Sequence, residues 1–91
     1  MGSTQVAYGT VYRAAKEGNA KEYFEEVYQR MVPRARMENT KQFMEYIDAR
    51  KEMYVHYGWE EDHAETNAVL DGIEALVDAL ADERAFRMTS N

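Results

Sequence analysis

Ala68-Val69-Leu70-Asp71-Gly72-Ile73-Glu74-Ala75-Leu76-Val77-Asp78-Ala79-Leu80-Ala81 is the most apolar stretch of this 91-residue chain. Acids interrupt it at Asp71, Glu74 and Asp78, a spacing of three and four residues that returns each of them to one side of an α-helix. The remaining positions form a wide apolar face, as expected of a helix lying on a protein core. A bilayer-spanning reading fails, because no apolar run approaches the ~18 residues needed and three carboxylates would sit in hydrocarbon.

A heptad fit places Leu70, Ile73, Val77 and Leu80 on a seam, with Val69 and Leu76 on its flank and Arg84 breaking the next repeat. A face this broad serves a globular bundle better than a two-stranded coiled coil. The helix is expected to run from residue 61 to residue 86, with 87–91 as a frayed tail.

Upstream, one proline and five glycines with almost no alternating Val, Ile or Thr predict helices throughout. The first spans about 4–17, with Ala7, Val11, Ala14 and Ala15 on one side and Gly9 among small residues where a neighbour could approach. Gly18 ends it and Asn19 caps the second, about 20–32, whose Phe24, Val27, Tyr28 and Met31 follow the i, i+3, i+4, i+7 rule. Pro33 stops that helix, because the residue before a proline is pushed out of the helical region. Arg34 to Glu38 is read as a connector, with Asn39 or Thr40 capping a third helix over about 40–57. Its inward stripe is Phe43, Tyr46, Ile47, Arg50, Met53, Tyr54 and Tyr57, closed by Gly58. The expected fold is all-α, a single domain holding a small bundle of four helical segments, with dimerisation as a way of completing it. No internal repeat is present.

Small size makes that last point physical. A chain of this length hides only about 60–65% of its unfolded surface, and with no cysteine it has neither disulfides nor thiolate metal sites to add stability. The start of the chain lacks the basic and apolar regions of a secretory signal, so a cytoplasmic location is expected.

Charge is divided unevenly along the chain. Residues 1–59 carry nine Lys/Arg against eight Asp/Glu, whereas 60–91 carries Arg84 and Arg87 against nine acids. Glu61, Asp62, Glu65, Asp71, Glu74, Asp78 and Asp82 are expected to cover the polar side of the last helix. Such a surface attracts basic proteins and repels nucleic acid, and in its extreme form mimics a phosphate row that occupies a nucleic-acid-binding protein.

Aromatic residues are divided the opposite way. Seven Tyr, three Phe and one Trp are many for this length, and all but Phe86 precede residue 60. The run Met53-Tyr54-Val55-His56-Tyr57 cannot turn every large side chain to one core if it is helical. This predicts a protein interface built mainly from Tyr46, Met53, Tyr54, Tyr57 and Trp59, with Phe24, Tyr28 and Met31 as further contributors.

Motifs for chemistry are sparse. Glu60 and His63 have the Glu-x-x-His spacing used by di-iron carboxylate, ferritin-like bundles, and a symmetric dimer would complete such a site with Glu52 from another helix. Zinc held by His56, Glu60 and His63 is a thinner version, since Gly58 separates the two histidines. The simpler account makes Glu60, Glu61 and Asp62 favourable charges at a helix start and Trp59 a staple packing inward over the first turn. No serine faces a histidine in sequence, and the isolated glycines cannot form a phosphate-binding nest. Arg30, Arg34, Arg36 and Lys41 are the only basic concentration, a weak nucleic-acid candidate because Glu45, Asp48 and Glu52 follow directly. The leading functional reading is therefore an adaptor, regulatory or accessory protein that works through protein contacts, with a homodimer expected and no cofactor required.

Overall fold

In a computed structural model, the backbone is described for residues 2–31 and 37–89, and the side chains for 8–31 and 40–82. Four helices follow one another: α1 (Gly2–Lys16), α2 (Ala20–Met31), α3 (Met37–His56) and α4 (Glu61–Thr89). The protein is a small all-α bundle with no strand among the described residues.

Two of the connections share one design. Gly18 and Gly58 adopt φ of 80° and 96°, a region where a Cβ would be strained. After α1, Gly18 N–H donates to the Ala15 carbonyl at 3.1 Å and Asn19 N–H reaches back to Ala14 at 2.7 Å. After α3, Gly58 N–H donates to Val55 at 3.0 Å and Trp59 N–H to Tyr54 at 3.1 Å. Each pair of bonds is a Schellman closure that satisfies carbonyls the helix end would otherwise leave bare. Asn19 and Glu60 then accept the first helical bonds of α2 and α4, from Tyr23 N–H (2.9 Å) and Ala64 N–H (2.8 Å). In α3 the helix already begins at Met37, so Asn39 and Thr40 belong to its first turn and do not cap it. At the far end of the chain, α4 continues to Thr89, beyond the expected stop at Phe86.

The long helix α4 is the spine: α1, α2 and α3 all pack against it, whereas α1 and α3 make no contact among the described residues. Val11 and Ala15 from α1, Ala20, Phe24 and Tyr28 from α2, Ile47 from α3, and Ala68, Val69 and Leu76 from α4 form the buried core. Phe24, Tyr28 and Phe43 make an aromatic triangle with ring centroids 5.6 to 6.2 Å apart. Each such ring removed from water contributes roughly 1.5–3 kcal/mol.

The buried side of α4 is wider than the heptad seam: Leu70, Ile73 and Leu80 are half-buried against the core, but the fully enclosed positions are others. Ala64, Ala68, Gly72 and Leu76, one turn apart, are enclosed together with Val69, while Val77 is 46% exposed. The ridge is made of small residues because neighbouring helices come very close; a Cβ on Gly72 would lie 2.8 Å from Ile47 Cγ1 and 3.3 Å from Phe24 Cε2. Gly9, the other candidate for close approach, faces open space.

Candidate functional site

Residues Tyr46, Arg50, Met53 and Tyr54 stand on one side of α3 at i, i+4, i+7 and i+8, the spacing that aligns side chains along a helix. The next helix completes their surroundings. Tyr54 hydroxyl donates to Asp71 Oδ2 at 2.5 Å, and Arg50 Nε stands 3.5 Å from the same oxygen. The Arg50 guanidinium also lies over the Tyr46 ring, 5.5 Å from its centroid, with Nη1 3.9 Å from Met53 Sδ. The hydrogen bond to Asp71 is the main cause that raises the Tyr54 phenol above its ordinary pKa; burial and the Asp71 charge add to it, and Arg50 opposes it.

Trp59 stacks on Tyr54 with centroids 4.7 Å apart. The stack lies on the α3 side of the turn, where the residue after a Schellman glycine commonly packs on a residue five positions earlier. Its outer face is open, since Trp59 is 42% exposed. Beside it Tyr57 is 68% exposed, not part of the inward stripe, and Val55, which the sequence reading had not singled out, is 45% exposed.

Of the expected interface set, Tyr46, Tyr57 and Trp59 are on the surface, Met53 and Tyr54 are half-buried, and Met31 is exposed at the end of α2. Phe24 and Tyr28 are not surface residues at all. Both are enclosed in the core, because the α2 face that carries them is the one laid on α4 and Phe43.

Acidic residues on α4 divide into two groups. Near its start, Lys51 Nζ lies 3.3 Å from Glu61 and 3.7 Å from Glu65, and Asp71 is engaged by Tyr54 and Arg50. These contacts clamp α3 to α4, so Glu65 and Asp71 are half-buried and do not belong to a free polar face. Asp62 lends its carbonyl to the buried Thr66 hydroxyl at 2.7 Å. Further along, Glu74, Asp78 and Asp82 repeat every fourth residue and are exposed.

Between the two helices runs an open groove. One recess of about 210 Å³ is lined by Gln42, Phe43, Tyr46 and Ala75. Its neighbour, of about 230 Å³, is lined by Tyr46, Arg50, Asp71, Glu74, Ala75 and Asp78. Tyr46 and Ala75 belong to both.

The metal candidates are not brought together. Glu60 precedes α4 as its cap, so it does not share a helical face with His63. His63 Nδ1 is hydrogen bonded to the Tyr8 hydroxyl at 2.7 Å, and its ring stacks on Tyr12 at 4.6 Å, beneath which Lys16 Nζ lies 5.3 Å from the Tyr12 centroid. Among the described residues no three of His, Asp and Glu converge on a point that would hold a metal, so Glu52 and His56 gain no partners there. Of the basic candidates, Arg30 and Lys41 are exposed, while Arg34 and Arg36 lie outside the described residues. No described helix is long and apolar enough to cross a membrane. No protein-family model, characterised protein or solved structure matches this chain.

Proposed function

We propose that this chain is a protein-interaction domain, acting as an adaptor, regulatory or accessory protein through the aromatic surface of α3 and the acidic side of α4. The observation that carries this reading is that large apolar side chains stay in water at the end of α3 and in the turn after it, with Val55 45%, Tyr57 68% and Trp59 42% exposed, and Tyr46 37% exposed further back on the helix.

The exposed side chains are of the right kind. Tyr46, Tyr57 and Trp59 combine rigid apolar rings with polar edges, the residue types over-represented where interfaces concentrate their binding energy. Glu74, Asp78 and Asp82 supply a one-signed field that orients an approaching cation-rich partner. A homodimer is one form of this reading, and a different protein is the other.

A photo-crosslinking residue placed at position 57, with position 25 on α2 as control, tests it in cells. The expected result is a discrete crosslinked species from position 57 that disappears in Tyr46→Ala/Trp59→Ala. Its mass separates a second copy from another protein. A chain that stays monomeric at high concentration and yields the same crosslinks from both positions would overturn the proposal.

A further inference from the structure

The groove between α3 and α4 carries two chemistries side by side. At one end Phe43, Tyr46 and Ala75 offer an apolar recess; at the other Glu74 and Asp78 stand exposed with no cation partner among the described residues. Arg50, the one base among the described residues that line the groove, is already held by Asp71 and by the Tyr46 ring. Asp71 is in turn engaged by Tyr54. The charge left to face solvent is therefore that of Glu74 and Asp78, within reach of an aromatic surface.

We propose that this groove binds a basic amphipathic segment of a partner protein, with an apolar side chain in the Phe43–Tyr46–Ala75 recess and a Lys or Arg against Glu74 and Asp78. The assignment rests on the protein-interaction reading above and names the partner's chemistry. Charge complementarity selects this occupant. A second copy seated groove to groove would be related by a two-fold axis, which sets the same acidic patch against itself. Each copy also carries a net charge of −6. A helical segment meets the demand most directly, because positions three and four apart on a helix present one apolar and one cationic side chain to the same groove.

Two matched synthetic helical peptides test the proposal by amide chemical-shift titration. One places Leu at i, i+3, i+4 and i+7 with Lys at the intervening positions, and the other keeps the same Leu spacing with Glu in place of every Lys. The Leu/Lys peptide is expected to bind, shifting Gln42, Tyr46, Glu74, Ala75 and Asp78, and the Leu/Glu peptide is not. Glu74→Lys/Asp78→Lys should weaken binding about tenfold, as loss of a rim charge cluster does. Glu25→Lys/Glu26→Lys on α2, which changes net charge equally, should weaken it less than about threefold. Ala75→Gln, which fills both recesses and leaves the charge alone, should also weaken it. Equal losses from the two charge reversals would show attraction by net charge alone and overturn the proposal, as would binding of neither peptide. Shifts confined to Tyr57 and Trp59 would overturn the groove assignment and leave the wider interaction reading standing. The crosslinking at position 57 decides that wider reading independently of any peptide.

Discussion

Gly72 on α4 faces Ile47 on α3 so closely that a methyl group on the glycine would sit 2.8 Å from Ile47 Cγ1 and 3.0 Å from its Cδ1. Gly72→Ala gains up to about 1 kcal/mol of helix propensity, but forcing a carbon into this contact costs about 1–3 kcal/mol. With the full propensity gain, the net expectation is a loss of up to about 2 kcal/mol in denaturant unfolding. Because Ile47 Cγ1 and Cδ1 are the obstacle, Gly72→Ala combined with Ile47→Ala should lose less than the two changes add up to separately. Strict additivity would mean the helices do not meet at this point.

The opposite sign is expected at Gly9. It lies within α1, and a Cβ there meets nothing within 4 Å. Gly9→Ala should therefore stabilise the protein by about 0.5–1 kcal/mol through backbone entropy alone. Thermal unfolding of the pair Gly9→Ala and Gly72→Ala, identical in chemistry, isolates the effect of surroundings.

Those two glycines also explain how far the fold is legible in the sequence. Helix number and most boundaries follow from Gly18, Gly58 and the three-to-four-residue apolar spacing, because helix termination is decided locally. The inward side of α4 follows in part. The wide apolar face over Val69, Leu70, Ile73, Leu76 and Leu80 does lie on the core, whereas Val77 is exposed, and hydropathy gives little weight to the enclosed Ala64, Ala68 and Gly72, whose value is that they let other helices approach. For the same reason Phe24 and Tyr28 look like interface residues in a count of aromatics and prove to be core once α4 lies on them. That some side chain of Met53–Tyr57 is exposed was legible because five consecutive large side chains cannot share one face, but the inward stripe wrongly included Tyr57, and the Tyr54–Trp59 stack depends on the geometry of the Gly58 turn.

His63 ties α1 to α4 through two contacts of different kinds, a hydrogen bond to Tyr8 and a ring stack on Tyr12. Tyr8→Phe removes only the first and should cost about 0.5–1.5 kcal/mol. His63→Ala removes both and should cost roughly 1 kcal/mol more. Zinc, iron or manganese is expected to leave the melting temperature unchanged in the parent chain. A metal-dependent rise that vanishes in His63→Ala would reinstate the Glu60–His63 metal site.

The Tyr54 hydroxyl bond to Asp71 has a defined pH signature. Donation to a carboxylate, reinforced by burial and the Asp71 charge, raises the phenol above its ordinary value of 10.0. A group whose proton is held more tightly in the folded state contributes fully below its unfolded pKa, and the contribution disappears as pH climbs through the higher folded value. Stability should therefore decline from about pH 10 upward. Tyr54→Phe should be less stable than the parent near neutrality and should lose less over the alkaline window. A smaller decline will persist in that variant, because Tyr8 is also raised, by burial first and by Tyr12 second. Phenolate absorbance provides the direct check: the parent should show a late-titrating component among its seven tyrosines, and Tyr54→Phe should diminish it. If both proteins titrate and unfold in parallel, the Tyr54 proton is not committed to Asp71. The α3–α4 clamp would then rest on the Lys51 contacts to Glu61 and Glu65 and the Arg50 contact to Asp71 alone.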